Sequence, residues 1–309
     1  MKPVLLANGE GGVGVQAAAD VLQAGGTALD AVEAGIRVVE QDPAVRSVGF
    51  GGRPNLLGEM ECDASIMCGA TRRTGAVGAL KEYLHAISVA RQVMERTPHV
   101  MIVGEGAARF AAEIGEKKAD MLAEQSKADY SRWFETRVPE ELKKKWPDVP
   151  LAELSWPAKE AAKTAGGTTC FLALARDNNW AGGVSTSGWA YKHPGRLGDS
   201  PVISAGLYVD NRGGAAACTH TGEMTIRAGT ARTVVAAMKR GASAADACAE
   251  AIDDLRALTG GYLGPVVVHA IDKEGTPCVV GLGFKETTPP WWFWTEGMTR
   301  PEQRKVTKA

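Results

Sequence analysis

Gly166-Gly167-Thr168-Thr169-Cys170-Phe171-Leu172-Ala173-Leu174-Ala175 lies just past the middle of a 309-residue chain and joins a polar, Lys/Glu-rich stretch to an apolar run. The run has the length of a buried strand; Asp177-Asn178-Asn179 follows as a turn, and a second strand reaches Ser185. A threonine therefore stands where a tether meets a core strand. Cutting the chain before Thr168 would put a hydroxyl nucleophile and a free α-amine on one carbon. With a reference pKa of about 7.7–8, that amine is a usable base near neutral pH. Taken alone, the stretch reads as a Gly-Gly hinge before a β-branched strand start. What lies downstream tips the balance.

Composition narrows the field. The chain is 45% hydrophobic with a formal net charge of −1, which leaves no electrostatic footprint for nucleic acid or a membrane surface. Glycine is abundant (37 residues) and aromatics are few, as suits tight turns and close-packed strands. No run approaches the ~18 consecutive apolar residues of a membrane span. Met1 to Gly9 carry one charge and too short an apolar core for a secretory signal, so a soluble, cytoplasmic protein is expected. None of the six cysteines forms a Cys-x-x-Cys pair and most sit in apolar stretches, so they read as buried small hydrophobes. The five histidines lack ligand spacing. No metal site and no cofactor are expected.

Along the chain, 3–8 reads as a strand that runs into Gly9-Glu10-Gly11-Gly12-Val13-Gly14, a match to G-x-G-x-x-G before a helix over 13–22. A dinucleotide fold then needs a second strand ending in an acidic residue. Instead, Gly25-Gly26 ends the helix and Thr27 caps another over 28–40, so helix follows helix and that reading loses. The glycine-rich 47–54 is a loop; 63–67 and 75–78 read as neighbouring strands, 85–95 and 106–114 as helices, and 99–103 as a strand. The stretch 116–163 turns charged and Pro-broken, and about 140–167 is expected to be an exposed linker, loosely clipped by Trp133, Trp146 and Trp156. Beyond it, strands are expected at 168–175, 180–185, 202–208, 214–218, 264–270, 278–284 and 291–294, with helices over 223–239 and from Ser243 to 258. The tail past Glu296 is polar and expected to fray. Strands and helices come in blocks, which favours an α+β chain of two packed sheets covered by helices.

Several further blocks share one order and spacing. They are Ala24-Gly25-Gly26-Thr27-Ala28-Leu29-Asp30-Ala31-Val32-Glu33, the 47–54 loop, the strands at 63–67 and 75–78, Ser185-Thr186-x-Gly188, Pro194-Gly195-Arg196-x-Gly198-Asp199-Ser200-Pro201 and Ala205-Gly206-x-Tyr208-x-Asp210. Together they resemble the glycosylasparaginases, N-terminal nucleophile hydrolases of the plant-type asparaginase group, over nearly the whole chain. The resemblance implies a four-layer αββα sandwich made by self-cleavage into an α-subunit part (1–167) and a β-subunit part (168–309). Cleavage would fall at Gly167–Thr168, through attack of the Thr168 hydroxyl on the Gly167 carbonyl. It also implies a dimer of αβ units.

The resemblance assigns roles. Thr168 is the nucleophile, Thr186 holds it by a hydrogen bond, and Thr219 with the next N–H forms the oxyanion hole. Arg196 grips the substrate α-carboxylate with its planar fork, Asp199 holds the α-ammonium, and His220 joins the substrate-binding set. The implied substrate is a small asparagine derivative cleaved at its β-amide, N4-(β-N-acetylglucosaminyl)-L-asparagine first, with asparagine or β-aspartyl dipeptides close behind. Three positions depart from the pattern. Gly166-Gly167 stands where glycosylasparagine-cleaving members often have His-Asp, so no carboxyl precedes the cut. Gly9 stands where those members carry a tryptophan. His220 stands where the family usually has glycine, and there it narrows the pocket, adds a proton donor or marks lost activity, with Thr221-Gly222 as a substitute oxyanion element. An inert paralogue that binds an amino-acid-like ligand is the competing class.

Overall fold

The structure, a computed structural model, describes residues 1–161 and 167–309. Gly166 and the end of the expected linker lie outside the described residues. The first part runs β1 (Val4–Asn8), α1 (Val15–Gln23), α2 (Ala28–Gln41), β2 (Cys62–Cys68), β3 (Thr74–Leu80), α3 (Ala86–Arg96), β4 (Met101–Val103), α4 (Gly104–Glu113), α5 (Glu124–Arg137), α6 (Glu140–Lys143) and α7 (Leu151–Ala161). The second runs β5 (Thr169–Leu174), β6 (Trp180–Thr186), β7 (Leu207–Asp210), β8 (Gly214–His220), α8 (Gly222–Ala228), α9 (Thr230–Lys239), α10 (Ala244–Arg256), β9 (Val266–Asp272), β10 (Pro277–Leu282), β11 (Pro290–Thr295), β12 (Glu302–Lys305) and β13 (Thr307–Lys308).

The strands form two sheets, eight in the order β12-β11-β1-β5-β6-β2-β3-β4 and five in the order β13-β10-β9-β8-β7. β5 is interior, antiparallel to β1 on one side and to β6 on the other. Its two faces are both buried, and the period of 2 sorts them. Cys170, Leu172 and Leu174 join a cluster with Leu207, Val209, Ala217 and Val267 of the second sheet. Phe171, Ala173 and Ala175 join the cluster formed with α1 to α4. Ala216, Cys218, Val266 and Val268, on the other face of the second sheet, pack against α9 and α10. Each Leu or Phe buried this way contributes about 1.5–3 kcal/mol, so the strand that follows Thr168 is held from both sides.

The 9–14 glycines serve packing. A β-carbon on Gly14 would strike the Gly35 carbonyl, so α1 and α2 touch backbone to backbone. Thr27 caps α2 through a capping box with Asp30. β1 has antiparallel neighbours and is followed by two successive helices, the opposite of a βαβ unit.

The structure departs from expectation at four places. The 140–167 stretch, expected to be an exposed linker, carries α6 and α7 as far as Ala161. Leu154 and Ala158 of α7 are buried in a cluster with Leu56, Trp133, Val138 and Tyr191. The expected strand over 202–208 is a turn up to Gly206, apart from an isolated bridge of Ile203 to Leu207, and the extended strand is β7 alone. The helix over 223–239 breaks at Gly229, whose φ of 61° is left-handed. The polar tail forms β12 and β13 instead of fraying. No helix among the described residues is long and apolar enough to cross a membrane.

Candidate active site

Thr168 sits one residue before β5 and is buried. β6 runs antiparallel to β5 with Thr169 opposite Ser185, which sets Thr186, the last residue of β6, beside the chain at 167–168. The loop after β6 carries Arg196 and Asp199, and β8 of the second sheet ends in Thr219 and His220. Gly167, Thr168, Thr186, Arg196, Asp199 and His220 thus line one narrow, nearly filled cleft of about 10 Å³. Thr219 is buried behind it, with Oγ1 3.0 Å from His220 Nδ1. A larger cavity of about 690 Å³, near Glu59, Lys81 and Glu105, contains none of these residues.

Hydrogen bonds fix the 167–168 peptide. The Thr186 hydroxyl donates to the Gly167 carbonyl at 2.9 Å and accepts from Gly188 N at 2.9 Å. The expected bond was to the nucleophile; the bond found goes to the carbonyl just before it, where a donor polarises the peptide. Asn8, at the end of β1, donates through Nδ2 to the Thr168 carbonyl and to Glu10 Oε2, and its Oδ1 accepts from Cys170 N at 3.0 Å. Burial pushes the Glu10 carboxyl up from 4.5 to about 7, against the pull of a backbone hydrogen bond.

Arg196 is engaged. Its Nε and Nη2 donate to Glu223 at 2.7–3.0 Å, and its guanidinium lies 4.2 Å from the centre of the Trp189 ring. The fork expected to meet a substrate carboxylate therefore meets the first turn of α8 in this form of the chain. Asp199 is buried and accepts from Thr225 Oγ1 at 2.7 Å. Burial raises its carboxyl to about 6, opposed by Thr225 and by Arg196.

Residues 13–291 match the family model described as asparaginase. The chain belongs to the asparaginase family. It is 42% identical over 253 residues to the N(4)-(β-N-acetylglucosaminyl)-L-asparaginase of Elizabethkingia miricola, a match spanning 82% of this chain and 69% of that protein. The rat (Rattus norvegicus) protein of the same name is 35% identical over 270 residues, 83% of this chain and 78% of the relative. An isoaspartyl peptidase of Salmonella typhimurium strain LT2 is 36% identical over 264 residues, 84% and 80% of the two chains. Family membership makes the chain an amidohydrolase, and self-processing at a threonine is typical of the asparaginase family.

For this asparaginase-family chain, the backbone shows that one departure is strained. His220 has φ 84°, in the left-handed region where glycine is unstrained and a residue with a β-carbon is not. Its ring meets Phe284 edge-on, with centroids 5.3 Å apart. Asn8, Glu10 and Glu223 escaped sequence reading. Asn8 gave the one usable signal, a polar residue ending an apolar strand, whereas Glu223 read as an ordinary acidic residue in a helical first turn.

Proposed function

We propose that this chain is a self-processing threonine hydrolase of the β-amide bond of asparagine derivatives, with N4-(β-N-acetylglucosaminyl)-L-asparagine as its first substrate. The observation that carries this reading is the position of the Gly167–Thr168 peptide. It lies in the cleft lined by Arg196 and Asp199, with its carbonyl held by Thr186. In the uncut chain Gly167 fills space beside the nucleophile. Cleavage empties that space and frees the Thr168 amine in one event.

In the cut enzyme, the Thr168 α-amine takes the proton of its own hydroxyl as Oγ adds to the β-carbonyl. Thr219 and the N–H of His220 hold the oxyanion, an interaction worth about 2.7–4 kcal/mol per donor. The amine proton passes to the leaving nitrogen, aspartate stays on Thr168 as an ester, and water releases it. Arg196 binds the α-carboxylate once that group displaces Glu223, Asp199 binds the α-ammonium, and Thr186 keeps Thr168 in place. Trp189, which lines the cleft, meets Tyr262 edge-on at 4.9 Å, and Trp156 lies 6.4 Å from Tyr262. Such ring faces suit the apolar side of a sugar. Free asparagine and β-aspartyl dipeptides are the second reading, favoured by Gly167 and by the isoaspartyl peptidase relative. The proposal extends to a four-layer αββα arrangement cut into 1–167 and 168–309, a dimer of such units, and, on its six unpaired cysteines, a cytoplasmic location.

Intact mass after incubation near neutral pH tests the reading, followed by aspartate release from the three substrate types. Two fragments meeting between Gly167 and Thr168, absent in Thr168→Ala, are expected. A chain that stays at 32.5 kDa and releases nothing would leave the inert-paralogue reading standing.

A further inference from the structure

The sequence puts no carboxyl before Thr168, because residue 167 is glycine. The fold brings one there from the other end of the chain. Glu10 opens the 3₁₀ turn Glu10–Val13 after β1, and β1 lies beside β5. A β-carbon built on Gly167 would run into Glu10 Oε1 and Ser47 Oγ. The Glu10 carboxyl therefore occupies the room a side chain at 167 would need, next to the bond to be cut. Its other oxygen accepts from Asn8 Nδ2 at 2.7 Å, and the same amide group donates to the Thr168 carbonyl. One asparagine sets both the carboxyl and the residue after the cut in a common frame.

We propose that Glu10 is the acid–base group of self-cleavage, standing in for the carboxyl that position 167 lacks. This rests on Thr168 being the processing nucleophile. As Thr168 Oγ bonds the Gly167 carbonyl carbon, its proton passes to the Glu10 carboxylate. The C=O electron pair moves onto the oxygen held by the Thr186 hydroxyl. The Gly167 C–N bond then breaks while Glu10 returns the proton to the departing nitrogen, leaving a Gly167–Thr168 ester and a free amine. Water adds to the ester carbonyl and the acyl–oxygen bond breaks. The products are the Gly167 carboxylate, the Thr168 hydroxyl and one released proton. Burial supports the assignment, since a carboxyl raised to about 7 is present in both proton states at neutral pH.

The test is the rate of fragment formation, followed by intact mass, in the full chain and in Glu10→Gln. Glutamine keeps an oxygen for Asn8 but cannot carry the proton, so it separates chemistry from positioning. Cutting at least about 100-fold slower is expected, the lower end of general acid–base contributions. Cutting at the wild-type rate would overturn the role of Glu10 while leaving Thr168 as the nucleophile. A wild-type chain that never cuts would instead sink the nucleophile reading itself. Should Glu10→Gln lose its cooperative melt, the pair Glu10→Ala and Glu10→Ala/Gly167→Asp decides. Cutting restored only in the double variant supports a carboxyl requirement at this place, and equal failure of both overturns it.

Discussion

Three buried carboxyls, Glu10, Asp199 and Glu40, are raised by burial and give the uncut chain an unusual response to pH. Glu10 is raised from 4.5 to about 7 and Asp199 from 3.8 to about 6, both chiefly by burial. Each holds a proton in the folded chain over a range where the unfolded chain has lost it. Folding therefore binds protons, and the stability tied to each group is full below its unfolded value and lost as pH rises through its folded value. For Glu10 the loss runs from pH 4.5 to about 7 and amounts to about 3 kcal/mol, since each pH unit between the two values is worth about 1.4 kcal/mol. Urea midpoints of Thr168→Ala should fall across that range, and adding Glu10→Gln should make the fall between about pH 6 and 7 shallower, leaving only what buried Glu40 adds. An unchanged slope in the double variant would rule out Glu10 as its source. At this scale the sequence was legible for residues that bring their own chemistry. Thr168, Thr186, Arg196, Asp199 and His220 gather at the cleft. Glu10 was hidden inside a glycine pattern that suggested phosphate binding, and only the β1–β5 pairing carries it 157 positions along the chain to Gly167.

The element that ties site to core is β5. Leu172 is fully buried between the two sheets, four residues beyond Thr168. Leu172→Ala in the uncut Thr168→Ala background should cost about 2–5 kcal/mol in chemical denaturation, the range for a leucine whose neighbours cannot collapse into the space. A cost below about 1 kcal/mol would mean that the inter-sheet layer adapts more freely than its packing suggests. Element types were legible wherever periodicity was strong, as in α2, α3, α10 and the buried strands. They were obscure where burial is sparse. α7 hides in a polar stretch because its anchors are mainly Leu154 and Ala158, and the stack of Trp133 on Tyr191 that receives them joins distant parts of the chain at a centroid distance of 4.4 Å. β12 and β13 carry Glu, Gln, Arg and Lys at the sheet margins, so no alternation marks them. Gly229 is the visible exception, since a glycine inside a helical pattern is a candidate helix end.

At the scale of the molecule, the two parts do not fold side by side. The eight-stranded sheet takes β1 to β4 from before the proposed cut at Gly167–Thr168 and β5, β6, β11 and β12 from after it, with β1 lying between β5 and β11. The proposed cleavage would therefore sever one peptide without exposing an apolar face. The fragments should co-elute on size exclusion under native conditions and separate only in denaturant; separation in plain buffer would contradict the shared sheet. The blocks of strands and helices in the sequence pointed to two packed sheets, and no local pattern reveals which strand lies beside which. That interleaving alters the kinetics of loss. Before the cut, an unfolded molecule returns by a first-order reaction whose rate ignores concentration. After the cut, two strangers must find one another in dilute solution before β1 can slip between its neighbours, so recovery becomes second-order and fails on dilution. Maturation would thus turn a reversible fold into one held by the slowness of its opening.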